Sequence, residues 1–262
     1  MTSRFDRDTA LVPGDAGIGV DISPAWDIGV RPNGGYLLAL VVRAMREAAG
    51  FPDPVTVTGH YLRPPTQGAA RVEVETVRRG GRHGTASARL IAGGEECLRV
   101  LGTFGDLAAA DGPSQPLPPA PDVPSPEDCP RLEEVPGWQV IPRFYDQIDA
   151  RIAEFGSADG TVGRITGWLR FSDGRPPDAD SLLLFADGLP PAVLAVTRAG
   201  WVPTVELTIH VRARPAAGWL LASFSTRFLV GGYLEEDGEL WDSDGRLVAL
   251  SRQLALVRGG VL

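Results

Sequence analysis

The feature that most restricts this chain is that one pattern occurs in it twice. In the first half, Asn33-Gly34-Gly35 opens the apolar segment YLLALVVRAMREAA, and four stretches of alternating character follow at 55–63, 69–79, 83–92 and 95–104. In the second half, GTVGRITGWLRF (160–171) precedes SLLLFADGLPPAVLAV (181–196), and further alternation follows near 203–213, 218–229, 232–241 and 246–257. A period of two marks strands, and a long apolar run behind a capping residue marks a helix. Each half therefore reads as a strand, a helix and four strands. The match extends to single residues: Thr56-Val57, His60 and Arg63-Pro64 answer Thr204-Val205, His210, Arg212 and Pro215 with a small change of spacing. Arg79-Gly80-Gly81 likewise answers Val230-Gly231-Gly232. Their common order along the chain favours duplication.

Nine of the 23 prolines lie in residues 106–137, a segment with too few donors for a ladder and too little freedom for a helix. It is expected to be a linker between an N-terminal repeat at 1–105 and a C-terminal repeat at 138–262. A helix apolar on nearly every side must be surrounded, and a curved antiparallel sheet around a central helix does so economically. That is the hotdog arrangement, and two halves predict an α+β double hotdog. Segment 143–155 fits two patterns: Phe144, Ile148, Ile152 and Phe155 suit a helix, whereas Ile148, Ala150 and Ile152 alternate as in a strand.

Composition removes several functions. All 25 basic residues are arginine. Without a lysine amine, Schiff-base and pyridoxal-phosphate enzymes, a Walker-type loop and a protein kinase are excluded. Three histidines and two distant cysteines, Cys97 and Cys129, offer no metal-ligand spacing, so neither metal nor cofactor is expected and the cysteines read as reduced thiols. Gly17-Ile18-Gly19 lacks the third glycine of a dinucleotide fingerprint, and no Gly-x-Ser-x-Gly elbow occurs. A net charge of −8 opposes nucleic-acid binding. No apolar run approaches the ~20 residues a membrane span needs, and no secretion signal is apparent, so a cytoplasmic location is expected.

The candidates for chemistry are polar residues where the pattern is apolar. Asp187 lies inside LLLFADGLPPAV; a buried carboxylate is costly without a reason, yet Asp-Gly before Pro-Pro is also a turn signal. Thr204 opens a strand, where threonine also serves β-propensity, and Gln253 shares a strand face with Ala249, Ser251, Ala255 and Val257. Asn33-Gly34-Gly35 presents unpaired N–H groups at a helix start, or simply lets the helix pack closely. Arg78, Arg79 and Arg82 form a basic hairpin able to grip phosphates, or are solvated arginines. His60 and His210 occupy repeat-related positions and read as core or rim residues rather than a catalytic pair.

Asn33-Gly34-Gly35-Tyr36, Tyr61-Leu62-Arg63-Pro64, Val74-Glu75-Thr76-Val77-Arg78 and Leu247-Val248-Ala249 with Gln253 together resemble the acyl-CoA thioesterase II family, over most of residues 17–257 apart from the linker. The resemblance implies that Asp187 activates a water, held by Thr204 and Gln253, for attack on an acyl-CoA thioester without a covalent enzyme intermediate. It implies backbone donors at Asn33-Gly34-Gly35 for the thioester oxygen, and a strand in the IDARIAE portion of 143–155. Glu206 stands at the family's acidic position, and LTIHVRARP replaces an aromatic-rich stretch. Two rivals are a non-catalytic acyl-thioester or lipid binder and a hydratase or dehydratase of the same fold; no Asp-x-x-x-x-His spacing supports the latter. Exposed sheet surface makes a homodimer an expectation.

Overall fold

The Asn33 side chain starts the first long helix. Its Oδ1 accepts the Tyr36 amide at 2.8 Å, one of the donors a helix start leaves unpaired. The helix, α1 (Gly34–Ala49), ends at Gly50, whose φ of +76° supplies the left-handed cap that glycine adopts without steric cost. Eleven of its sixteen residues are buried, so it needs cover on nearly all sides. The structure, a computed structural model, describes residues 2–261 except 16, 116, 117, 137, 139 and 140. Residues 116, 117 and 137 of the expected linker, and 139, 140 and 262 of the second half, thus lie outside the described residues.

The cover is a twelve-stranded antiparallel sheet. Its main strands are β1 (Ile18–Ile22), β2 (Asp53–Tyr61), β3 (Gly68–Arg79), β4 (Gly84–Ala92), β5 (Glu95–Gly105), β6 (Ile148–Gly156), β7 (Gly163–Phe171), β8 (Thr204–Val211), β9 (Leu220–Thr226), β10 (Tyr233–Trp241) and β11 (Leu247–Leu256). The spatial order is β1-β3-β4-β5-β2-β8-β11-β10-β9-β7-β6, with the short strand Leu229–Val230 beside β10. From the β2–β8 seam outward, both directions follow the same sequence of elements, and β6 and the short strand Leu229–Val230 are additions on one side. At the seam Thr58 stands opposite Thr208 and their hydroxyls lie 2.8 Å apart. Both flanking pairs carry a register shift at corresponding places, Pro54/Thr56 in β2 and Thr204/Glu206 in β8.

That register corrects the residue match read from the sequence. With Thr58 opposite Thr208, Thr56 corresponds to Glu206, and Pro54 corresponds to Thr204. His60 and His210 do correspond. The shared Thr-Val pairs are incidental, because strand pairing and not dipeptide identity sets the equivalence.

The second apolar run also departs from expectation. It forms only one short helix, α2 (Ser181–Phe185), then a turn through Asp187-Gly188 and a 3-10 turn at Ala192–Ala195. Pro190 and Pro191 remove two consecutive backbone donors, which prevents the helix from continuing although the side chains stay apolar. Segment 143–155 divides: residues 143–146 form a 3-10 turn and β6 begins at Ile148.

α1 and α2 lie side by side and run in opposite directions. Gly35 of α1 packs on the end of α2, where an added Cβ would lie 2.6 Å from the Leu183 carbonyl oxygen and 2.9 Å from that of Leu184. At the other end, Arg46 and Arg43 of α1 pair with Asp180, which precedes α2. A single helical turn near the N-terminus (Arg4–Asp8) inserts Phe5 against Trp26 and Phe171, with ring centroids at 5.9 and 5.2 Å. Each sheet edge is bridged at one place: Val12 and Gly19 exchange backbone hydrogen bonds beside β1, and the Ile152 amide of β6 donates to Pro130 at 2.9 Å. The two cysteines are free and buried. Among the described residues no helix is long and apolar enough to cross a membrane.

Candidate active site

The contact between the start of α1 and the end of α2 places a carboxylate on a helix N-terminus. Asp187 Oδ2 accepts the Gly35 amide at 3.0 Å and the Asn33 side-chain amide at 2.9 Å. Asn33 Nδ2 also donates to the Asp187 carbonyl at 2.9 Å. One asparagine thus caps α1 with its oxygen and fastens the carboxylate with its nitrogen. The donors that the sequence assigned to a thioester oxygen are here directed at Asp187, where they and the positive end of the α1 dipole favour its charged form.

Burial outweighs them. It pushes the Asp187 carboxyl up to about 6, while the Gly35 and Gly34 amides and the Asn33 side chain pull in the other direction. The residue as a whole is nonetheless partly exposed. A carboxylate near 6 is a far better proton acceptor than one at its ordinary value of 3.8, yet is still mostly ionised at neutral pH. Tyr61 lies beside it, donating its hydroxyl to the Gly34 carbonyl at 2.8 Å. Burial, and after it the Asp187 charge, hold the phenols of Tyr61 and Tyr145 well above the usual range.

Thr204 and Gln253 sit on the paired strands β8 and β11, and the structure joins them directly. Thr204 Oγ1 donates to Gln253 Oε1 at 2.8 Å, and Gln253 is 6% exposed. Among the described residues no hydrogen bond links either of them to Asp187.

A fourth polar residue completes this cluster, and the sequence reading passed over it. Glu236 of β10, 7% exposed, accepts Gln253 Nε2 at 3.0 Å and the Ala192 amide at 2.6 Å. Burial pushes its carboxyl up to about 7, opposed by the Ala192 and Gln253 donors and reinforced by the charge of Asp187. The signal was present: in YLEEDGELW, period-2 alternation puts Glu236 on the face of the buried Leu234 and Leu240. Its acidic neighbours Glu235 and Asp237 made the run look solvated.

The remaining candidates lie elsewhere. Arg78, Arg79 and Arg82 are exposed around the β3–β4 hairpin. That hairpin rests on the far end of α1, where Thr76 Oγ1 donates to the Ala48 carbonyl at 3.0 Å. A sixteen-residue helix separates the two places by about 24 Å. His60, His83 and His210 are all exposed, so the site has no imidazole among the residues gathered around Asp187.

Two family models match the chain, the acyl-CoA thioesterase N-terminal domain over residues 22–105 and the acyl-CoA thioesterase C-terminal domain over 126–257. An uncharacterized protein of Mycobacterium tuberculosis is 31% identical over 289 residues, covering 98% of this chain and 99% of its own. Among solved structures, a Thermobifida fusca protein assigned as a thioesterase II superposes with a TM-score of 0.86 at 29% identity, covering 98% of each chain. A hot dog fold protein of unknown function from Alicyclobacillus acidocaldarius superposes with a TM-score of 0.87 at 24% identity, covering 100% of each chain.

Proposed function

Because the chain belongs to the acyl-CoA thioesterase family, we propose that it hydrolyses acyl-CoA to a free acid and coenzyme A, with Asp187 activating the water. The observation that carries this reading is the Asp187 carboxylate itself: on a partly exposed residue, anchored at a helix N-terminus and raised to about 6.

In this mechanism Asp187 accepts a proton as the water oxygen bonds to the thioester carbonyl carbon. The tetrahedral intermediate then collapses, the carbon–sulfur bond breaks, and the proton held on Asp187 is available to the departing thiolate. Thr204 and Gln253 hold the water. The two are already linked by a hydrogen bond of 2.8 Å. Fixing the water beside its base replaces a chance encounter with a prepared one. An acyl chain buried against the apolar interior gains about 0.8 kcal/mol per CH₂, which would set chain-length preference.

The tandem organisation belongs to the same proposal: hotdog repeats at 1–105 and 138–262 joined by 106–137. The strand order supports it by repeating outward from the β2–β8 seam. The absence of any histidine among the residues gathered around Asp187 argues against a hydratase or dehydratase.

The test is free-thiol release from a panel of short to long acyl-CoA esters, with wild type beside Asp187→Asn. Chain-length-dependent release that falls at least a hundredfold in the variant supports the reading. Release that survives the substitution removes Asp187 as the base. No release with binding retained identifies an acyl-thioester binder instead.

A further inference from the structure

Glu236 is a buried acid without a counter-ion. Among the described residues no arginine pairs with it, and the chain has no lysine. A carboxylate in that position is costly unless its oxygens are satisfied by donors, and a hydrophobic residue there would pack without the cost. Its two partners are N–H groups on different elements: the Ala192 amide at the 3-10 turn and Gln253 Nε2 on β11.

Those partners have a consequence for Gln253. A glutamine amide has two nearly isosteric ends, one donating and one accepting. The Thr204 hydroxyl can donate or accept, so it cannot decide which end faces it. An ionised carboxylate only accepts, and Glu236 in that form therefore settles the choice. Nε2 turns to Glu236, Oε1 turns to Thr204, and Thr204 must donate. What remains free is also fixed: one N–H of Gln253 and the lone pairs of Thr204.

We propose that Glu236 is a positioning residue for the hydrolysis, locking the Gln253 amide so that Gln253 offers a donor and Thr204 an acceptor to the attacking water. The proposal rests on the thioesterase reading and adds a residue to it. Glu236→Gln tests it closely, because a glutamine there has one acceptor for two donors. Its oxygen goes to the Ala192 amide, its nitrogen faces Gln253, and the Gln253 amide inverts.

The experiment compares wild type, Glu236→Gln and Glu236→Leu on the best acyl-CoA ester, recording kcat, KM and the pH profile. The ¹⁵N side-chain amide resonance of Gln253 is followed in parallel from pH 5 to 9. The charged groups facing Glu236 are Asp187, at the end of α2, and Asp237, its strand neighbour. Expected are a ten- to hundredfold loss of kcat with KM within threefold, and an acid limb moved to lower pH, since the ionisation of Glu236, raised to about 7, no longer limits the rate. In wild type the Gln253 amide resonance should titrate with Glu236, and in Glu236→Gln it should not.

Wild-type kcat in Glu236→Gln, or a loss of kcat with an unmoved acid limb, overturns the proposal. A Gln253 resonance in wild type that ignores Glu236 overturns it also, and this holds even where a variant fails to fold. A wild type that cleaves no ester defeats the thioesterase reading and the catalytic role of Glu236 with it. An active wild type with an indifferent Glu236 defeats the proposal alone.

Discussion

Asp187 accepts the backbone amide of Gly35 at 3.0 Å, so the base proposed for one half of the chain is held by the first helical turn of the other. The two residues are 152 positions apart in sequence. Their contact depends on α1 and α2 approaching more closely than any side chain on Gly35 would permit.

Gly35→Ala should therefore damage stability and activity together. Its Cβ would stand 2.6 Å from the Leu183 oxygen and 2.9 Å from Asp187 Cβ, and relief requires the helices to part. Overpacking of this kind costs about 1–3 kcal/mol. Urea denaturation reads the loss, and thiol release should fall more than tenfold.

Asn33→Ala should separate capping from base tuning. Loss of the cap costs about 1 kcal/mol of stability. Loss of the Nδ2 donor removes one group that favours ionised Asp187, so the Asp187 step in the acid limb of kcat, near pH 6 in wild type, should move to higher pH. A pH–rate profile of the two proteins checks the direction.

Asp187→Asn should be more stable than wild type at alkaline pH. The carboxyl is raised from 3.8 to about 6 in the folded protein, so its stabilising contribution is complete below pH 3.8 and lost as pH rises through 6. That loss amounts to at most about 3 kcal/mol at pH 8, less the hydrogen bonds that asparagine gives up. Denaturant midpoints should favour the variant at pH 8 and nearly coincide at pH 4. Glu236 acts in the same direction and sharpens the wild-type dependence between pH 4.5 and about 7.

Replacing Arg78, Arg79 and Arg82 together by alanine should leave KM within twofold. The arginines stand at the end of α1 opposite Asp187, about 24 Å along the helix. A large rise in KM would instead mean that coenzyme A extends along that whole face.

Much of this was legible in the residues. Alternation marked β2 to β5, β8, β10 and β11, which have one face on the core and one toward solvent, whereas β9 is buried on both faces. Asn33 and Gly50 bracket α1 as cap chemistry requires. The second helix is shorter than its apolar run suggests, as the Asp-Gly and Pro-Pro turn signal allowed, because Pro190 and Pro191 lack the backbone donors a longer helix needs. The neighbourhood of Thr204 and Gln253 was recognisable, but Glu236 was hidden in the acidic run Glu235-Glu236-Asp237. The meeting of Asn33 with Asp187 is a product of tertiary packing, and no local pattern announces it.

The antiparallel pair of helices has two ends, and the chain treats them differently. At one, Asp187 sits with a dipole and neutral donors and keeps a proton equilibrium close to neutrality. At the other, Asp180 is clasped by Arg43 and Arg46. A near-twofold skeleton thus carries one end held by neutral donors and one closed by ion pairs. Under the proposed function one site per chain is expected, and titration with a tight substrate analogue should saturate at one molecule per polypeptide.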